Sequence, residues 1–92
     1  GQNTVNVIGL ESPFFVPNSI DVKVGTTLTF ANTDGNIHTV TSVKAGTTEP
    51  DGRFDSGMIK GGDSFAVKLD KPGTYNYFCA IHPGMKGTVN VS

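Results

Sequence analysis

Apolar and polar residues alternate in short runs along most of this chain. The clearest runs place Val, Ile, Leu, Phe or Tyr at every second position, which is the spacing of a strand with one buried face. Such runs predict strands over residues 4–8, 20–24, 26–31, 38–43, 64–69, 74–79 and 87–91. No segment keeps the period of about 3.6 residues that an amphipathic helix requires.

Turn-forming residues separate the predicted strands. The chain has 12 Gly and 5 Pro, and pairs such as Asp34-Gly35 fall between the apolar runs. The polar, glycine-rich stretch 44–53 is predicted to be a surface loop. Seven or eight short strands without a long linker predict an all-β fold, a Greek-key β-sandwich or barrel that forms one domain over residues 1–92.

Charge and hydropathy narrow the classes of function. Seven basic and eight acidic side chains give a formal net charge of -1, and they are scattered along the chain. We therefore expect no nucleic-acid partner, which would need clustered Lys or Arg. No apolar run approaches the roughly 18 residues of a membrane span, so none is expected. The first residues carry no export signal, and we expect that any such signal has been removed or never existed.

The single cysteine lies in a group of potential metal donors. Cys79, His82 and Met85 recur at every third residue between two predicted strands, and His38 begins another predicted strand. A lone Cys cannot form an internal disulfide, so it needs a different explanation. Copper that changes oxidation state is bound by two imidazoles and a thiolate, with a weak axial thioether. The pattern predicts one type 1 copper ion bound by His38, Cys79, His82 and Met85.

Other interpretations of the same residues stay open at this point. A closed structural zinc site uses four strong Cys or His ligands, and the chain has one Cys and two His. A catalytic zinc with an open position fits the ligand count. Met85 can also be interpreted as a core residue that fills a gap, and Met58 is predicted to be one.

These segments together resemble the cupredoxins, the small blue copper proteins, over nearly the whole chain. The similar segments are Phe15-Val16-Pro17 with the residues up to His38, then Phe54-Asp55-Ser56-Gly57, and finally Pro72-Gly73-Thr74-Tyr75 with the residues up to His82. The short Cys-x-x-His-x-x-Met spacing is similar to that of amicyanin. The resemblance implies a single cupredoxin-like copper-binding domain over residues 1–92, with His38, Cys79 and His82 as equatorial ligands and Met85 as the axial one.

The resemblance also implies a function. It is that of an electron carrier rather than an enzyme, passing single electrons between redox partners through Cu(I) and Cu(II). Redox proteins are expected to dock near His82, in a periplasmic or other extracytoplasmic location. The apolar docking patch is expected to consist of Pro13, Phe14, Phe15, Pro17, Pro83 and Gly84. The alternative is an open or weak axial position at which a small redox molecule such as nitric oxide reacts. A module that stores or delivers copper is a third interpretation.

One residue departs from the family pattern. Many cupredoxins have Asn directly after the first ligand His, where it links the two ligand loops by hydrogen bonds, whereas this chain has Thr39. The threonine hydroxyl is expected to make part of those bonds. Because bonds around the ligands tune a metal site, Thr39 bears on its rigidity and reduction potential.

Overall fold

The structure is a computed structural model that describes residues 3–92. It consists of short β-strands, and no helix is found in the described range. The strands are β1 (Thr4–Val7), β2 (Phe15–Val16), β3 (Ser19–Val22), β4 (Thr26–Asn32), β5 (Thr41–Val43), β6 (Pro50–Asp55), β7 (Ser64–Leu69), β8 (Gly73–Phe78) and β9 (Lys86–Val91). The all-β prediction is confirmed, and the described residues contain no helix that could cross a bilayer.

The strands form two sheets that pack face to face. One sheet has the order β2-β1-β4-β7, and the other has the order β3-β9-β8-β5-β6. The pairs β1 with β4 and β3 with β9 are parallel, and the other pairs are antiparallel. Most connections cross from one sheet to the other, which is the behaviour expected of a Greek-key sandwich.

The core lies between the sheets and follows the predicted alternation. Leu28 and Phe30 of β4 and Val89 of β9 are fully buried. The ring of Tyr77 meets those of Phe15 and Phe30 edge to face, with centroids 4.8 and 5.1 Å apart. Such pairs stabilise by about 0.5–1.5 kcal/mol beyond the area they bury. These aromatic contacts join the two sheets near the end of β8.

Several boundaries differ from the prediction. The end of the stretch 44–53, predicted as a loop, belongs to β6. This is an edge strand in which only Phe54 is buried, so its sequence lacks an apolar alternation. The two-residue strand β2 was also not predicted, and residues 3–92 therefore contain nine strands rather than seven or eight. Strand β3 ends at Val22, and Val24 is exposed rather than part of an apolar face.

The predicted strand 38–43 is shorter in the structure. Regular pairing begins at Thr41, whereas His38 forms an isolated bridge with Ile59 through two backbone hydrogen bonds of 3.1 and 2.7 Å. Between them, the N–H of Val40 donates to the side chain of Ser56 at 2.8 Å instead of continuing the ladder. The interruption places His38 just outside the sheet, at the end of the sandwich where β8 finishes.

Candidate metal centre

The structure brings three predicted donors together at one end of the sandwich. The donor atoms of His38, Cys79 and His82 all lie within 4.8 Å of one another. The Cys79 sulfur is 3.8 Å from Nδ1 of His38 and 3.7 Å from Nδ1 of His82. Metal–nitrogen and metal–sulfur bonds of about 2.0 and 2.3 Å, set at about 120°, place their outer atoms about 3.7 Å apart. The two sulfur–nitrogen distances are therefore those expected when a thiolate and two imidazoles bind one metal ion.

The loop from Cys79 to Met85 is closed by its own backbone. The N–H of His82 donates to the carbonyl of Cys79 at 3.1 Å, and the N–H of Met85 donates to the carbonyl of His82 at 2.9 Å. The N–H of Cys79 donates in turn to the carbonyl of Met85 at 3.0 Å. These bonds fix Cys79, His82 and Met85 relative to one another. The Met85 side chain is turned inward, with 1% exposure.

His38 is held on both of its sides. Its backbone pairs with Ile59, and its fully buried ring places Nε2 2.6 Å from a carboxylate oxygen of Asp34. A carboxylate only accepts hydrogen bonds, so Nε2 is the donor in this contact, and Nδ1 is the ring nitrogen that faces Cys79. The same hydrogen bond from His38 lowers the pKa of the Asp34 carboxyl. The sequence interpretation missed Asp34, although it lies four residues before a predicted ligand.

Thr39 connects the two segments that carry the donors. Its backbone N–H donates to the Cys79 sulfur at 3.3 Å, and its hydroxyl accepts a hydrogen bond from the N–H of Ala80 at 2.7 Å. The hydroxyl of Thr41 donates to Asp55 at 3.2 Å, so it must accept the 3.2 Å bond from Thr39. The expectation that a threonine hydroxyl would link the loops is confirmed by these contacts.

Four exposed apolar side chains surround the partly exposed His82. Together with His82 they line a shallow hollow whose remaining lining residues, Gly35 and Asn36, are uncharged. We call these four the apical patch, and they are Leu10, Ile37, Met58 and Ile81. The prediction that Met58 is a core residue is wrong, since it is 75% exposed and its neighbour Ile59 takes the buried position.

The predicted docking patch, with Phe14 and Phe15 beside Pro83 and Gly84, is only partly exposed. Phe15 is fully buried against Tyr77 and Phe14 packs on the core, so neither belongs to an exposed surface. Pro83 and Gly84 are exposed beside His82 in the sequence. The apical patch was not predicted, because its members come from four separated segments.

Comparison with known proteins gives a consistent picture. A sequence profile for copper binding proteins of the plastocyanin/azurin family matches residues 4–92. Plastocyanin from Scenedesmus fuscus is 35% identical over 83 residues, covering 84% of this chain and 85% of that protein. Amicyanin-alpha from Methylorubrum extorquens is 34% identical over 77 residues, covering 84% of this chain and 63% of that protein.

Solved structures show the same similarity. A purple cupredoxin from Nitrosopumilus maritimus superimposes with a TM-score of 0.89 at 26% identity, covering 97% of this chain and 98% of that one. A copper-containing nitrite reductase from Thermus scotoductus superimposes with a TM-score of 0.80 at 31% identity. That alignment covers 97% of this chain but 22% of the reductase chain.

Proposed function

Because this chain belongs to the plastocyanin/azurin family of copper-binding proteins, we propose that it carries single electrons between redox partners at one type 1 copper site. The proposed ligands are His38, Cys79 and His82 in the equatorial plane and Met85 as the axial ligand. Bound copper would supply the one-electron couple between Cu(II) and Cu(I). We further infer that residues 1–92 act as one copper-binding domain.

The spacing of one sulfur and two imidazole nitrogens carries this proposal. The two imidazole nitrogens lie 3.7 and 3.8 Å from the Cys79 sulfur. Their positions are fixed by backbone bonds within the Cys79–Met85 loop and by the Thr39 hydroxyl. Ligands held in place by the protein need little rearrangement when the charge of the site changes, which favours rapid electron transfer.

The apical patch supports docking of redox partners near His82. His82 is the more exposed of the two imidazoles, because His38 is fully buried. An electron that leaves through His82 would emerge inside an uncharged apolar surface, which a partner can cover without stripping water from charges. The thiolate ligand and the family resemblance also support an extracytoplasmic, periplasmic-type location.

The alternative reaction with a small redox molecule such as nitric oxide receives no particular support among the described residues. It would require an axial position open to solvent. Met85 instead lies with 1% exposure behind a loop that its own backbone closes. Electron carriage is therefore the function that the site favours.

A copper-loaded sample tests the proposal. Addition of Cu(II) to the metal-free protein should produce an intense visible thiolate-to-copper absorption band and one reversible one-electron reduction. Cys79→Ser should abolish the band, while Ser64→Ala at the exposed start of β7 serves as a substitution outside the ligand set. A protein that binds Cu(II) without such a band, or that takes up only zinc, would contradict the proposal.

A further inference from the structure

We propose that Asp34 is a positioning residue for His38, which fixes the proton on Nε2, presents Nδ1 to the metal and lowers the reduction potential of the site. The inference rests on the proposed function. It concerns a carboxylate that touches a ligand imidazole but lies on the side of the ring away from the sulfur. Nε2 of His38 meets Oδ2 of Asp34 at 2.6 Å, whereas Nδ1 faces Cys79 at 3.8 Å.

The turn that carries Asp34 is held in place by a set of hydrogen bonds centred on Asn32. The side-chain oxygen of this buried residue accepts the N–H of Asp34 at 3.0 Å. Its amide donates to the carbonyls of Asn36 and Ile59 at 2.8 and 2.9 Å. Asn32 thus ties the turn that carries Asp34 to Ile59, the residue whose backbone pairs with His38.

Two glycines leave room for the Asp34 turn. A Cβ on Gly9 would lie 3.0 Å from the carboxyl carbon of Asp34, and Gly9 has φ +120, a conformation that favours glycine. A Cβ on Gly61 would lie 2.6 Å from the Asp34 carbonyl oxygen. The backbone therefore approaches Asp34 closely at two points, its side chain at Gly9 and its carbonyl at Gly61.

The expected electronic effect follows from charge. A carboxylate that accepts the second ring N–H raises the basicity of the ligand imidazole and fixes its orientation. Both the basicity and the nearby negative charge stabilise Cu(II) more than Cu(I), because Cu(II) carries the larger positive charge. Asp34 should therefore favour the oxidised state and make the reduction potential lower than a neutral acceptor would.

Asp34→Asn separates charge from hydrogen bonding. The amide oxygen can still accept the Nε2 proton, so the visible band should be retained. The ratio of Cu(II) to Cu(I) affinity should fall about tenfold, which for a one-electron couple raises the potential by about 59 mV. Asp70→Asn is the matched control, because Asp70 is exposed and lies far from the site. It follows Leu69, which pairs with the first residue of β4, whereas Asn32 is the last residue of that strand.

A second measurement uses the metal-free protein. Nitrogen-15 NMR at fixed neutral pH should show His38 with its proton on Nε2 in the unaltered protein and in Asp34→Asn. Asp34→Ala should give a mixture of the two tautomers, because no acceptor remains beside Nε2. A proton on Nδ1 in the unaltered protein would overturn the inference, as would a potential in Asp34→Asn no higher than in Asp70→Asn.

These readouts distinguish the two proposals. If the unaltered protein forms no thiolate-to-copper band, the proposed function fails, and the tautomer of His38 in the metal-free protein still decides whether Asp34 positions the ring. If the band forms but neither the tautomer nor the potential responds to Asp34, the function stands and the role of Asp34 is refuted.

Discussion

The hydroxyl of Thr39 accepts a hydrogen bond from the backbone N–H of Ala80 at 2.7 Å, although the two residues are 41 positions apart in the chain. Each is the neighbour of a proposed ligand, since Thr39 follows His38 and Ala80 follows Cys79. One short bond therefore joins the two halves of the site. The bond continues through Thr41 to Asp55, so the hydroxyl is oriented as well as placed.

Thr39→Val should weaken the fold near the site. The substitution keeps the shape of the side chain but leaves the Ala80 N–H without its acceptor, at an expected cost of about 1–3 kcal/mol. Urea unfolding of the metal-free protein measures the loss. Thr39→Ser keeps the hydroxyl and should lose less stability, so equal losses in the two variants would contradict the role assigned to this bond.

Met85→Leu should test the proposed axial ligand without breaking the loop. Both hydrogen bonds of Met85 within the loop use its backbone, so the variant should fold and bind copper. The visible band should persist, because the thiolate is unchanged, while the EPR parameters shift and the reduction potential rises as an apolar side chain replaces a donor. Spectra and a potential identical to those of the unaltered protein would show that Met85 is a core residue only.

Met58→Lys should slow electron exchange between the oxidised and reduced forms of this protein. Two copies that meet through the apical patch would bring like charges together, and the rate measured by NMR line broadening should fall about tenfold at low salt and partly recover at high salt. Val24→Lys is the control, because Val24 is an exposed apolar residue that follows Val22, the partner of Val91 at the far end of β9. Equal effects of the two substitutions would exclude docking at the patch.

Tyr77→Phe should stabilise the protein. Among the described residues the Tyr77 hydroxyl is a buried polar group without a hydrogen-bond partner, and burial raises its pKa. Removal of the hydroxyl should add about 1 kcal/mol at neutral pH. The raised pKa also makes the stability of the fold depend on pH. The free energy of unfolding should be unaffected by Tyr77 ionisation below about pH 10 and should fall as the pH rises above it.

Urea unfolding of both proteins at pH 7 and pH 11 checks the two expectations for Tyr77. The alkaline loss of stability should be smaller in Tyr77→Phe. A loss of stability at pH 7 in this variant would show that the hydroxyl makes a stabilising contact.

Asp51→Asn should reduce the sensitivity of the fold to acid. Partial burial raises the pKa of Asp51, but hydrogen bonds from Ser42 and from the backbone and side chain of Arg53 outweigh it, so the pKa is lowered. A lowered folded pKa contributes stability above the unfolded value of about 3.9, and this is lost as the pH falls through the folded value. The free energy of unfolding of the variant should be lower by about 1 kcal/mol at pH 7. It should also decrease less between pH 5 and pH 2 than in the unaltered protein.

The control for Asp51 is Asp70→Asn, which removes an exposed carboxylate whose nearest cation is 3.9 Å away. It should leave the pH dependence of unfolding almost unchanged. If Asp51→Asn and Asp70→Asn lost the same stability between pH 5 and pH 2, the role assigned to the Ser42 and Arg53 bonds would be contradicted.

Two kinds of feature could be predicted from the sequence: strands with alternating apolar residues, and candidate ligands that lie close together in the chain. Strand β7 matches its predicted bounds, and Tyr75 and Tyr77 of β8 are buried as the alternation required. The proposed ligand set could be predicted because Cys79, His82 and Met85 share one short loop. Strand β6 was not visible, because an edge strand with one buried residue has no apolar period.

The contacts that surround the proposed ligands were harder to predict, because they depend on how distant segments meet. Asp34 lies in a turn whose sequence indicates only a change of direction, and its approach to His38 follows from the packing of Asn32, Gly9 and Gly61. The apical patch likewise brings Met58 close to Leu10. Their proximity could not be predicted, because the two residues are far apart in the sequence. Thr39 was identified only by the family pattern.

The complete burial of Cys79 has a consequence for the metal-free protein. A thiol with no exposed surface cannot reach a second chain or a large oxidant unless the loop that covers it first opens, so disulfide-linked dimers should form slowly. The rate at which a thiol reagent modifies Cys79 then reports how often the loop opens. Thiol modification of Cys79 therefore measures the rate of the local opening through which a metal would enter or leave the site.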